Sequence, residues 1–330
     1  MTRGPSRGAR RTSLSLSELV DELTAAVAAA GDLAAAKHAA RLLGIMTAEL
    51  GQVLEVPGNR FSRAKACETI RMLMSHPAMT LARLAGGTFV DLGCGGLNPL
   101  ASLVVLKAAG AARCVGIDLD VLREELAVPA LARTALELMG APSLYFGAQS
   151  PSADEVRQNL AGLDLAACLQ TGERTVAAVG AFPVEYRCRS ADDTGLEDAS
   201  VDGITSTSFL EHVADVDGVI AEMARISKPG AVGYHGIDGS DHRNYVDPHR
   251  DVLAFLAEPS PEPIVFGCNR VRPLDFVERF EAHGFEVLEC RVVREAEVTE
   301  ASRARMAEPF RSMSLERLRA LGVRLAARRR

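Results

Sequence analysis

From Thr88 onward, short apolar runs rich in β-branched residues alternate with longer stretches of helical periodicity, and no other feature restricts the fold as tightly. Residues 88–92 read as a strand, 99–109 as a helix, 113–117 as a strand, and 121–139 as a helix that Pro129 should interrupt. Strand-like runs return at 184–189, 201–206 and 231–237, with a helix at 216–226 between the last two. Strands joined through helices run parallel, because each crossover carries the chain back to the same end of the sheet. The expected architecture is therefore α/β, a doubly wound sheet covered by helices on both faces.

The flanks differ in texture. Residues 1–14 read as a flexible basic arm, and Ser15-x-x-Glu18 then has the spacing of a capping box. Apolar residues recur at helical spacing through Leu16, Leu19, Val20, Leu23 and Val27, again from Leu33 to Leu50, and again over 62–74. Residues 15–80 thus form an N-terminal helical module, a lid or, through its apolar stripes, a homodimer contact. A long insertion at 140–183 carries a second capping pattern, Ser152-x-x-Glu155. After 237 the expected elements are a helix at 272–283 stopped by Gly284, a strand at 285–293, a helix around 299–312 and a strand at 321–326. The terminal Arg328, Arg329 and Arg330 read as a solvated tail.

Composition narrows the partners. The chain has 330 residues, 37 basic against 43 acidic, a net charge of −6. That lacks the basic surplus of a nucleic-acid binder, and no Trp with four Tyr offers no platform for stacking bases. No apolar run is long enough for a membrane span, and Glu18, Asp21 and Glu22 interrupt what would be a signal-peptide core. Seven cysteines without a CxxC pair fit reduced thiols, so a cytoplasmic location is expected.

A ligand site is expected where the first strand turns into a helix, at Asp91-Leu-Gly93-Cys94-Gly95-Gly96. Glycines let the backbone bend sharply there and bring the N–H groups of the next helix close to a ligand. Asn98 breaks the dinucleotide pattern GxGxxG. Asp118 ends the second strand, where an acid meets ribose hydroxyls in doubly wound folds, and Asp192 and Asp193 follow the third.

Taken in order, Val-Asp91-Leu-Gly-Cys-Gly95, Gly116-Ile-Asp118, Asp198-Ala-Ser-Val-Asp202 through Glu211-His212-Val, and Glu222-Met-Ala-Arg-Ile-Ser-Lys-Pro229-Gly230 resemble the class I S-adenosylmethionine-dependent methyltransferases. The resemblance spans about 88–293 and the final strand, which would make 81–330 the methyltransferase domain. It implies a Rossmann-like seven-stranded sheet with an antiparallel last strand, 285–293 and 321–326 forming the closing hairpin. It implies S-adenosyl-L-methionine as cofactor and S-adenosyl-L-homocysteine as product. Gly93, Cys94 and Gly95 would border the methionine part, Asp91 would order the loop, and Asp118 would hold the ribose. Leu119 would pack on adenine, Asp192 or Asp193 would meet its amino group, and 206–209, with Ser208, would lie under the methionine end. The chain departs from the family at Gly96-Leu97-Asn98, where a third loop glycine is usual, and at the 140–183 insertion.

The acceptor side falls to the segment leaving the fifth strand, Tyr234-His235-Gly-Ile-Asp238-Gly-Ser-Asp241-His242-Arg243. A hydroxyl or protonated nitrogen must lose a proton as it is methylated. His235 and His242 are candidate bases, Asp238 and Asp241 candidate orienting groups, and Glu211 a further catalytic candidate. The same residues with His249 have irregular spacing for a metal, and none is expected. Arg270 or Arg272 could hold a carboxylate or phosphate, 243–271 reads as the acceptor loop, and Arg60, Phe61 and Arg63 are where a lid would close. The leading expectation is methyl transfer to oxygen or nitrogen of a small molecule: a secondary-metabolite intermediate, a sugar-like hydroxyl, or an amino-acid amine or guanidine. Alternatives are a protein methyltransferase and a non-catalytic binding protein of the same fold. A nicotinamide oxidoreductase is disfavoured, since no tyrosine is followed by Lys four residues on.

Overall fold

Strand β1 (Thr88–Leu92) is buried at every residue but its first, as a central strand covered on both faces must be. The computed structural model describes residues 73–74, 76–95, 101–122, 124–163 and 184–330, with Ala25 and Ile70. The arm at 1–14, nearly all of the expected module at 15–80 with Arg60, Phe61 and Arg63, the Gly96–Asn98 turn and the 164–183 part of the insertion lie outside those residues.

Seven strands form one sheet: β1, β2 (Arg113–Asp118), β3 (Val184–Cys188), β4 (Val201–Thr207), β5 (Ser227–Asp238), β6 (Phe285–Glu295) and β7 (Ala320–Arg329). Their spatial order is β3-β2-β1-β4-β5-β7-β6. The first five are parallel, and β7 runs antiparallel between β5 and β6. The doubly wound, Rossmann-like sheet with an antiparallel last strand is thus observed.

Alternation along each strand sends side chains to two cores. Phe89, Cys114, Val184 and Tyr234 face helices α1 (Ala101–Ala108), α2 (Glu124–Gly140) and α3 (Ala153–Asn159). Ile70, Leu73 and Met74, from the end of the third expected N-terminal helix, are buried in the same core. Val90, Leu92, Ile117, Ile204 and Ile237 face α4 (Val216–Ile226) and α5 (Asp275–Ala282). Ser152 and Glu155 do close a capping box at the start of α3.

Three expectations are corrected. Helix α2 runs through Pro129 without a break. The terminal arginines are not a tail: Arg328 pairs with Glu286, and Arg329 donates to the Ala224 and Gly284 carbonyls from within β7. Segment 243–271 is no open loop, since it packs its own core. Leu253, Phe255, Leu256, Val265 and Cys268 are buried with Met306, Phe310, Leu318 and Leu321, so 241–271 and 296–319 make one cap at the β5–β7 end of the sheet.

Candidate active site

The carboxyl ends of the parallel strands meet along one edge, where doubly wound folds bind ligands. At the end of β1 the Asp91 carboxylate is buried and accepts from Thr205 Oγ at 2.8 Å, tying β1 to β4. Asp91 therefore holds the floor of the turn. Gly93 follows with φ +68°, and its N–H donates to the Ile117 carbonyl at 2.9 Å. A Cβ at Gly93 would lie 2.2 Å from the Phe209 ring. Phe209 reaches that point because Ser208, at φ +51°, kinks the chain leaving β4. Gly93 and Ser208 thus shape one feature from two strands, the close packing of a phenyl ring on bare backbone.

Gly95 differs. Its φ is +79°, yet nothing lies within 4 Å of where a Cβ would be. Its N–H donates to Asp118 Oδ2 at 2.7 Å, and Asp118 Oδ1 accepts from the Asp120 N–H at 3.1 Å. One carboxylate so joins the glycine turn to the end of β2. Beside it Leu119 and Val121 are 73% and 76% exposed, an apolar surface at the mouth of the turn. The Cys94 thiol is held well above its ordinary range by burial and by Asp91 and Asp118, so it is a neutral group at this turn.

After β3, Asp192 and Asp193 are both exposed, and Asp193 is turned to Arg189 at 3.1 Å. The next residues are anchored from α4. Glu222 accepts from the Thr194 N–H and hydroxyl and pairs with Arg225, which also reaches Asp198. Asp202 accepts from the Thr88 N–H at 2.8 Å and from Lys228 at 2.7 Å. Glu222 and Arg225 are therefore struts from α4 to the segment between β3 and β4, and Asp202 ties β4 to β1 and β5.

On the acceptor side the structure separates residues that the sequence grouped. His235 is 1% exposed, shares a 2.8 Å hydrogen bond with Ser206 Oγ and packs on Phe280 inside the second core. Burial lowers its pKa to about 3, so it stays neutral. Asp241 is buried and clamped by the Arg243 guanidinium, which holds its carboxyl below the ordinary range despite burial. Glu211 is buried beneath the turn at Leu210–His212. Asp238 collects Ser240, Tyr245 and Arg294, which keep it ionised against burial. His242 stands 3.8 Å from Asp238 and edge-on to His212, with ring centroids 4.9 Å apart. His249 is exposed at a turn and apart from this group.

Neither arginine offered as an anion clamp has a guanidinium to spare. Arg272, fully buried, donates to the carbonyls of Gly239, Ala320 and Leu318, and burial brings its pKa down to about 10. Arg270 donates to the Glu258 and Ser260 carbonyls. Sequence reasoning missed Tyr245, Arg294 and Cys268. The first two carry no pattern before Asp238 is known to be buried. Cys268 had a local signal, since Phe266-Gly267 is the two-residue turn of a hairpin, with φ +53° and +80°.

The sheet order, with acids and glycines at the ends of β1 and β2, defines a class I methyltransferase fold. Residues 145–234 match the family model described as a methyltransferase domain, a span covering β3, β4, α4 and much of β5 but not the glycine turn. Over that span the chain is similar to methyltransferase domains, and its sheet has the class I methyltransferase fold. No curated protein matches the chain. Among solved structures, a chain from a Haloferax volcanii complex containing the Trm112 methyltransferase activator is 18% identical over 83% of this chain and 94% of its own, at a TM-score of 0.44. Geranyl diphosphate C-methyltransferase from Streptomyces coelicolor A3(2) is 16% identical, covering 82% and 80%, at a TM-score of 0.44. An S-adenosylmethionine-dependent methyltransferase from Methanosarcina mazei is 20% identical, covering 74% and 92%, at 0.38. Likenesses this distant leave the acceptor open. Among the described residues no helix is long and apolar enough to cross a membrane.

Proposed function

We propose that this chain transfers a methyl group to an oxygen or nitrogen atom of a small molecule. The observation that carries the reading is the Gly95–Asp118 bond, which ties a glycine turn to a ribose-reading acid beside the exposed Leu119 and Val121. When bound, S-adenosyl-L-methionine supplies the sulfonium methyl. Gly93 and Gly95 leave backbone bare for its methionine part, and Asp118 has an oxygen for each ribose hydroxyl once the turn adjusts. Leu119 offers the adenine an apolar face. Asp192 meets the adenine amino group, because Asp193 is engaged by Arg189.

Transfer of this kind needs the acceptor held in line and water kept away, so proximity supplies most of the rate. Of the five residues read as catalytic, His242 with Asp238 is the pair left to orient the acceptor and take its proton. His235 and Asp241 serve the fold, and Glu211 lies beneath. The cap of 241–271 and 296–319 supports a walled acceptor site. The N-terminal module at 15–80 is assigned as lid or homodimer contact, and the cytoplasm as the compartment.

The test is label transfer from methyl-deuterated S-adenosylmethionine into a metabolite extract, read by mass spectrometry, with Asp118→Ala as control. A labelled small molecule that disappears in the control identifies the reaction and its acceptor. Cofactor binding without any labelled small molecule overturns the proposal in favour of a protein acceptor or a non-catalytic binding protein.

A further inference from the structure

One group of side chains joins His242 to two residues that have no part in the transfer just described. His212, His242 and Cys268 come from three separate segments, and one ligand atom from each lies within 4.8 Å of the other two. Among the described residues it is the single cluster of this kind. The turn at Leu210–His212 follows β4, His242 begins the cap, and Cys268 sits on the second strand of the 264–269 hairpin.

Backbone and side-chain bonds fix these segments against one another. Asn269 Nδ2 donates to the carbonyls of Leu210 and Val213 at 2.7 and 2.9 Å, fastening the hairpin to the turn that bears His212. His212 Nδ1 lies 2.7 Å from the Gly267 carbonyl. A carbonyl only accepts, so Nδ1 carries the proton and Nε2 keeps its lone pair. A backbone carbonyl on the far nitrogen is the usual outer partner of a metal-binding imidazole, fixing both tautomer and ring direction. Gly267 can supply it because the hairpin turn holds two residues at positive φ, 53° and 80°. The two imidazoles meet edge to face at 64°, not stacked, so they can converge on one point.

We propose that His212, His242 and Cys268 bind a divalent zinc ion on the acceptor side of the sheet edge. Two imidazoles and a thiolate are borderline-soft donors that favour zinc over magnesium or calcium. Three protein ligands leave a fourth position for water or an oxygen of a bound molecule, the arrangement of a zinc ion that takes part in chemistry. Binding forms one Zn–S and two Zn–N bonds, and the Cys268 thiol gives its proton to solvent. The site shares His242 with the methyl transfer proposed above. Where both hold, His242 acts as a ligand, and the metal takes over lowering the acceptor's pKa.

The test uses the full chain, zinc-loaded and then dialysed, with metal counted by plasma mass spectrometry. About one zinc per chain is expected. Cys268→Ser and His212→Ala should each lower occupancy about tenfold or more, while Cys290→Ser should not. His212 is exposed, so its variant keeps the claim testable if Cys268→Ser fails to fold; a thermal melt reports which has happened. Cobalt loading should give a thiolate-to-metal charge-transfer band that Cys268→Ser lacks. Asp118→Ala should lose cofactor binding and keep its zinc, which separates failure of this site from failure of the methyltransferase reading. No retained zinc, or occupancy in the His212 and Cys268 variants equal to that of the unaltered chain, overturns the proposal.

Discussion

The two halves of the sheet edge treat their polar side chains in opposite ways. At the β1–β2–β3 end, Asp192 and Asp193 are exposed, and Asp118 bonds only backbone N–H groups of its own and the neighbouring turn. At the β4–β5 end, His235, Asp241 and Glu211 are buried, and Asp238 is wrapped by Tyr245, Ser240 and Arg294. The first half leaves its acids at the surface, as the proposed cofactor site requires. The second is a framework under a cap, with His212, His242 and Tyr245 toward its surface. A histidine or aspartate in a motif is thus as readily a strut as a reagent, and its burial decides between them.

The largest test of that contrast is Arg272, the buried staple of the second half. Arg272→Met would leave three carbonyls without their donor and should cost about 3–5 kcal/mol. Urea denaturation would show it, and a loss under about 1 kcal/mol would mean the cap does not depend on the staple. In the first half the expected effect is on ligand and not on fold. Asp118→Ala should weaken S-adenosylmethionine about 100-fold, or about 2.7 kcal/mol by calorimetry, with little change in melting temperature.

Two glycines sharpen the comparison within one turn. Gly93→Ala combines an unfavourable φ with a clash on Phe209 and should destabilise by about 2–4 kcal/mol. Gly95→Ala meets open space, so only the backbone penalty of about 1–2 kcal/mol applies. If the two variants melt together, the Phe209 packing is not what requires glycine at 93.

At neutral pH the effect of His235 is silent, and it appears only as pH is lowered. Folded, it stays neutral down to about pH 3, whereas in the unfolded chain it takes a proton near pH 6.5. Stability from this residue is therefore present above pH 6.5 and lost as pH falls from there toward 3, with a slope approaching about 1.4 kcal/mol per pH unit. His235→Gln keeps a polar group for Ser206 and should flatten that slope. An unchanged pH profile would mean that the imidazole reaches water and belongs with the reactive group after all.

Much of the fold was legible because it depends on local rules. Strand β1 and helix α4 fall on the expected residues, since unbroken apolar runs and a clean helical period leave few alternatives. The errors have physical causes. Pro129 is the sixth residue of α2, and lacking an N–H it forgoes one bond, to the carbonyl of residue 125, while the helix continues through it. The 243–271 segment lacks a period because its apolar residues pack against 296–321, a pairing that no local window contains. The basic terminus looked like a tail because three arginines are polar; on β7 Arg328 and Arg329 find Glu286 and two carbonyls instead.

What the sequence alone determined is the alternation of strand and helix, and with it a parallel sheet whose acids and glycines collect on one edge. Those features follow from side-chain periodicity and from backbone freedom at single residues, and both are local. Tertiary structure alone decided which polar residues are buried and which stand at the sheet edge. Asp118 and His235 both lie toward the carboxyl ends of parallel strands, yet one side chain reaches the glycine turn and the other lies against Phe280. It also decided that Cys268 lies beside His212 and His242, since Asn269 fastens one hairpin to one turn across 56 and 59 residues of chain. Burial and long-range contact are properties of the packed chain, and no spacing along it encodes them directly.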